Sequence, residues 1–142
     1  MKDRQLTIGE LARLTGASIE TIRYYERIGL MPRPPRTGGG RRAFGADSLH
    51  TLNFIRRCRE LGFGLDDVRT LLALRGAQSC CMDVRSIASR HLEMVRAKLQ
   101  HLSEMEASLA GLVARCSGEA TSECPVLDAL DTGTVEASRA QA

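Results

Sequence analysis

The sequence predicts a mainly α-helical chain: a small N-terminal helical module, one long helix and a C-terminal loop. Three observations predict it. Two short helix signals joined by a glycine turn occupy residues 7–29. An apolar stripe at helical spacing runs from Met82 to Arg115. Three cysteines mark the ends of that stretch, with Cys81 before it, Cys116 just after it and Cys124 beyond a loop.

The N-terminal helices have readable boundaries. Thr7-Ile8-Gly9-Glu10 is a capping box, in which Thr7 caps the helix and Glu10 reaches back to it. Ile8, Leu11, Ala12 and Leu14 supply the apolar side of the first helix. Thr15-Gly16-Ala17 makes a tight turn, Ser18 caps a second helix from Ile19 to about Ile28, and Gly29 ends it. Two short helices joined in this way form either a helix-turn-helix or an ordinary helical hairpin. Pro32, Pro34, Pro35 and Gly38-Gly39-Gly40 forbid regular helix over residues 31–40, so this stretch reads as a short hairpin or wing with glycines at its tip. Asp47 is expected to cap a third helix reaching to about Gly62, with Leu49, Leu52, Phe54, Ile55 and Leu61 on its apolar face. Gly64-Leu65-Asp66-Asp67 opens a fourth, its two acids suited to the positive end of the helix dipole, with Val68, Leu71, Leu72 and Leu74 turned inward.

The long helix is expected over residues 82–115, after a linker at 76–81. Leu92, Val95, Leu99 and Leu102 step by three, four and three, a heptad seam. A helix of more than about 30 residues with one apolar stripe is not stable alone in water. The economical solution is a coiled coil, parallel or antiparallel, with the same helix of a second chain. Composition agrees: 43% of the 142 residues are apolar, but only 4% are aromatic and there is no Trp, which argues against a large self-contained core. The net charge is only +3. Nevertheless Arg23, Arg27, Arg33, Arg36, Arg41, Arg42, Arg56, Arg57 and Arg59 crowd into the first half, as phosphate contact requires. No basic-then-apolar leader and no apolar run of about 20 residues occurs, so a cytoplasmic protein without a membrane partner is expected. In a reducing compartment the five cysteines read as thiols or metal ligands rather than disulfides.

The stretches Leu6-Thr7-Ile8-Gly9-Glu10-Leu11-Ala12, Thr21-Ile22-Arg23-Tyr24-Tyr25-Glu26, Gly29-Leu30, Arg41-Arg42-Ala43-Phe44, Phe54-Ile55-Arg56 and Leu61-Gly62-Phe63-Gly64-Leu65-Asp66-Asp67-Val68 together resemble the MerR family of transcriptional regulators, over residues 6 to about 130. The resemblance implies a winged helix-turn-helix with its supporting helices (1–75), a dimerisation helix (82–115), a metal-binding loop with a short C-terminal helix (116–131) and a disordered tail (132–142). It implies a homodimer on a palindromic operator between overly spaced promoter elements, acting on RNA polymerase there, and no enzymatic activity. The second helix should enter the major groove, with Ser18, Thr21, Arg23 and Tyr24 as contacts. Arg41 and Arg42 should grip phosphate from the wing. Phe44 stands where the family usually has Tyr; it is counted with the DNA contacts, although its ring can also pack. Tyr25 fits either the DNA face or the core.

Cys81 precedes Cys116 by 35 positions, which on one helix is roughly 50 Å. One metal cannot bridge that distance, but two antiparallel chains would bring Cys81 of one beside Cys116 and Cys124 of the other. The same separation occurs in the metal-sensing branch of the family, where Cys at the first position goes with divalent ions and Ser with monovalent ones. Three thiolates make a soft site. Mercury(II) is the first expectation. Cadmium(II), lead(II) and zinc(II) are alternatives that would draw on Glu119, Glu123 or water. Cys80 is the adjacent alternative ligand, and Cys58 is expected to be a buried thiol. Metal would convert a held promoter into an active one by bending and untwisting it. A thiol-redox regulator that senses oxidant through disulfides, and a metal buffer or thiol enzyme, are the rival readings.

Overall fold

The structure is a computed structural model and describes residues 4–34, 38–40, 43–77, 81–119 and 123–133. Its helices are α1 (Ile8–Thr15), α2 (Ile19–Arg27), α3 (Ala46–Glu60), α4 (Leu65–Gly76), α5 (Cys81–Arg115) and α6 (Pro125–Thr132). The chain divides into two compact units, Met1–Ile87 and Ala88–Ala142.

In the first unit, the ends of the helices are fixed by local chemistry. The Glu10 backbone N–H donates to Thr7 Oγ1 at 3.2 Å, and the Thr7 N–H donates to the Glu10 carboxylate at 2.9 Å, completing the capping box. Gly16 ends α1 with φ +72°. Only glycine serves there: the backbone is left-handed, and an added Cβ would meet Arg56 Nη1 at 2.8 Å. Ser18 caps α2 by accepting the Thr21 N–H at 3.1 Å. At the far end of α2, Gly29 adopts φ +74°. The Leu30 N–H returns to Tyr25 O at 2.9 Å and the Gly29 N–H to Glu26 O at 3.1 Å, the paired bonds of a Schellman cap. That reversal sends Leu30 and Met31 into the core.

Helix α1 packs on α2 and α3, and α3 packs on α4. Leu11, Ile22, Met31, Phe44, Leu52, Ile55 and Val68 fill the space between them and are fully buried. Leu6 and Phe44 form an isolated antiparallel bridge, with N–H to O distances of 2.7 and 2.8 Å. The bridge ties the chain before α1 to the chain before α3. The expected hairpin is not seen as a strand pair among the described residues. Residues 35–37 and 41–42 lie outside them, so the fit of Arg41 and Arg42 to a wing falls there too.

Several expectations are corrected. Asp47 does not cap α3: the helix begins at Ala46 behind Gly45, with no side-chain cap bond, and Asp47 lies within the first turn. Leu14 and Leu61 are exposed rather than apolar-face residues. The buried side of α1 runs through Leu11 and Thr15, and Leu14 falls off its edge; Leu61 is the C-cap residue beyond the last turn of α3. Gly76 closes α4 and Cys81 opens α5, so both ends of the expected linker at 76–81 are helical, and residues 78–80 lie outside the described residues. Thr132 belongs to α6 rather than to a tail, and residues 134–142 lie outside the described residues.

The second unit is built on α5 and α6. Leu112 and Ala129 are buried, whereas Leu99, Leu102 and Leu109 on α5 remain 60%, 57% and 57% exposed. More than half of the surface of these leucines is therefore uncovered among the described residues.

Two outcomes follow for stability. Phe44→Ala should cost about 3–5 kcal/mol, because it empties a fully buried ring site, and guanidinium unfolding monitored by far-UV circular dichroism checks it. The Thr7 backbone N–H is the main cause holding the Glu10 carboxyl below its ordinary value. The Thr7 hydroxyl, Arg4 and Arg13 act in the same direction, and partial desolvation opposes them. A depressed folded-state value means a contribution that is complete above the ordinary glutamate range and lost as pH falls through the folded value. Glu10→Gln should therefore flatten the acid limb of the stability–pH curve relative to the wild-type protein.

Candidate nucleic-acid interface and metal centre

Helix α2 buries Ile22, Tyr25 and Glu26 and turns the residues between them outward. Tyr25 is thus a core residue, which resolves its two readings. Ser18 and Arg23 are exposed, Thr21 is half-buried and Tyr24 is 40% exposed, so each of the four expected contacts is at least partly accessible. Ser18 and Thr21 are not independent: their hydroxyls lie 2.8 Å apart, so the cap that starts the helix also orients both groups. The Arg27 guanidinium stands 5.6 Å from the Tyr24 ring centroid, a cation–π contact. Sequence reasoning counted Arg27 only among the arginines suited to phosphate, although the three-residue spacing from Tyr24 puts the two on neighbouring positions of a helix surface. Phe44 is corrected: its side chain is wholly buried, so the ring belongs to the core and cannot touch DNA.

The thiols are distributed by α5. Cys81 is its first residue and is exposed; Cys116 follows its last residue and is exposed. One continuous helix between them separates the two by about 50 Å at the standard rise. Past Cys116 the chain turns at Gly118, with φ +73°, and Cys124 becomes the N-cap of α6, with Pro125 in the first turn. Proline suits that position because its missing N–H has no partner to lose there. Cys116, Glu119, Glu123 and Cys124 line one cleft of about 350 Å³, with Arg115 at its margin.

Two of the three expected ligands are therefore brought together, and the third stands at the other end of the helix. No group of three metal-binding side chains occurs within the chain among the described residues. Cys116, Glu119, Glu123 and Cys124 share the lining of the cleft without forming such a group, and the two thiols are the soft donors that thiophilic ions favour. Burial pushes the Cys58 thiol up, and its side chain lies in the core, away from the cleft. Cys80 lies outside the described residues. His91 is buried on α5, and His101 is exposed on it. Among the described residues no helix is long and apolar enough to cross a membrane.

Comparison with known proteins bears on both halves of the site. The profile of the family described as MerR HTH family regulatory protein matches residues 6–74, and that described as MerR, DNA binding matches residues 49–112. The chain is 36% identical over 129 residues to the HTH-type transcriptional regulator HmrR of Sinorhizobium medicae strain WSM419, covering 90% of this chain and 88% of the relative. It is similar to the crystal structure of the transcription regulator PbrR691 from Ralstonia metallidurans CH34 in complex with lead(II), at TM-score 0.76 and 37% identity, covering 88% of this chain and 98% of that one. It is also similar to the regulator MerR from Bacillus megaterium MB1 in complex with mercury(II), at TM-score 0.65 and 34% identity, covering 89% and 99%. Regulators of this kind bind promoter DNA, act as dimers and are not enzymes. With helices α1 and α2 forming the reading module and the similarity running through α5 to the cysteine loop, the chain belongs to the MerR family of helix-turn-helix transcriptional regulators.

Proposed function

We propose that this chain is a metal-responsive regulator that binds an operator as a homodimer. Without metal it holds the promoter in a form RNA polymerase uses poorly; with metal it distorts the DNA into an active form. The carrying observation is the split of the thiols. Cys116 and Cys124 share a cleft at one end of α5, while Cys81 stands at the other. The exposed seam leucines of α5 need a second helix to cover them. An antiparallel partner covers that seam and sets Cys81 of one protomer beside Cys116 and Cys124 of the other, giving two equivalent trithiolate sites.

The helix α2 surface carrying Ser18, Thr21, Arg23 and Tyr24 enters the major groove, and Arg41 and Arg42 hold phosphate. Metal favours one arrangement of the dimer only to the extent that it binds that arrangement more tightly. The resulting bend and untwist correct the promoter spacing by deformation.

Mercury(II) is the inducer that three thiolates without histidine suit best. A second reading, lead(II), cadmium(II) or zinc(II), is favoured by one specific observation: Glu119 and Glu123 line the same cleft as Cys116 and Cys124 and can add oxygen ligands. The similar regulator solved with lead(II) fits that reading, as the one solved with mercury(II) fits the first.

Titration of the reduced protein on its promoter with mercury, lead, cadmium, zinc and copper(I), read by run-off transcription, is the test. Mercury should activate at the lowest free concentration. Activation by lead, cadmium or zinc first would move the assignment to the mixed sulfur–oxygen site. A response to oxidant but to no metal would replace metal sensing with a redox switch. Cys81→Ser, Cys116→Ser and Cys124→Ser should each lower metal-dependent activation by about 10-fold or more, by analogy with loss of a ligand or its support. Metal-free operator binding should be retained, and Cys58→Ser should respond like the wild-type protein.

A further inference from the structure

The C-terminal end of the reading helix is held by a residue that none of the assigned roles uses. The Schellman cap of α2 satisfies the carbonyls of Tyr25 and Glu26. The carbonyls of Ile28 and Gly29, which follow, accept from Arg69 on α4: Nη2 donates to Ile28 O at 2.8 Å and Nη1 to Gly29 O at 3.4 Å. A Cβ at Gly29 would lie 3.7 Å from Arg69 Nη1, so the guanidinium lies close beside the turn. A positive charge at this end of a helix also complements its dipole. The rigid planar fork of arginine can reach two successive acceptors at once, whereas a lysine ammonium acts as a compact point charge.

The position of this contact in the chain gives it meaning. The principal helix packing of this unit is α1 on α2, α1 on α3 and α3 on α4. Val68 of α4 shares the core with Ile22 and Tyr25 of α2, and Arg69 adds a direct hydrogen-bonded link from α4 to the end of α2. Helix α4 is the element that precedes α5 in the chain. The carboxyl end of α2 is thus tied to the element leading into the dimerisation helix by two hydrogen bonds from a single side chain.

We propose that Arg69 is a positioning residue for operator recognition: by latching the carboxyl end of α2 to α4, it fixes the reading angle and so the half-site spacing that the dimer accepts. This rests on the operator-binding dimer described above. A merely stabilising arginine would affect binding to every site alike. A latch that sets an angle affects the discrimination between spacings, because half-site separation is a geometric property of the dimer.

The test uses the full-length, metal-free protein and a palindromic site selected from random DNA by the wild-type chain. The site is then rebuilt with its central spacer one or two base pairs longer or shorter. The wild-type protein should prefer the selected spacing by about 10-fold or more, Arg69→Ala should reduce that preference to below about threefold, and Arg69→Lys should fall between them. Equal weakening on all spacers in Arg69→Ala, with the preference intact, would overturn the latch, as would binding identical to wild type. A wild-type protein that selects no palindrome would overturn the operator-dimer reading itself, an outcome separate from an intact spacing preference in the variant.

Discussion

A helix of 35 residues that cannot bury its own apolar seam governs the organisation of this protein. Leu99, Leu102 and Leu109 are more than half exposed in the single chain. At about 25 cal/mol per Å² of apolar surface removed from water, such a stripe is a strong drive to pair. Pairing along this seam would also decide which cysteines can meet. Cys81 and Cys116 cannot share an ion within one chain, so dimerisation and ligand assembly would be one event. A site built in this way would have no folded monomeric form to report on.

The reading module solves a different problem, that of presenting a short helix firmly. Eight or nine residues of isolated helix have no stability of their own, and α1 and α2 are that short. They persist because each is capped at its N-terminus by a side-chain oxygen, ends in a glycine-assisted turn, and buries one side against Leu52, Ile55 and Phe44. The opposite side of α2 is then free to carry Ser18, Arg23 and Tyr24 without contributing to the core. Arg23 and Tyr24 lie outside the core, whereas Ser18 also caps the helix, so a change at Ser18 would act on folding as well as on the surface.

Much of this was legible in the sequence, and the reasons are specific. Thr7, Glu10, Gly16, Ser18 and Gly29 announce helix ends because their chemistry acts within three or four residues, and the structure places each at such an end. The long helix was legible from its heptad steps. What escaped were properties set by distant neighbours. Phe44 follows two arginines and looks like part of a basic surface, yet its pairing with Leu6, 38 positions earlier, turns it inward. Arg69 meets Ile28 across 41 positions, and no local pattern encodes such a contact. Asp47 resembles a cap, but Gly45 takes that place because the chain arriving from the bridge at Phe44 enters the helix two residues earlier. In the candidate metal centre, Cys116 and Cys124 line a shared cleft. The choice among thiophilic ions depends on how Glu119 and Glu123 are used, which residue order does not encode.

The bridge between Leu6 and Phe44 has a topological consequence. Its two hydrogen bonds close a circuit that contains α1, the turn, α2 and the Pro- and Gly-rich segment. Because the circuit is closed by backbone pairing and a buried ring, the length of the segment before Phe44 does not determine where α2 lies. Doubling the length of such a loop adds only about 0.6 kcal/mol of closure entropy. The Pro/Gly segment is thus a place where residues can be inserted while α2 keeps its seat.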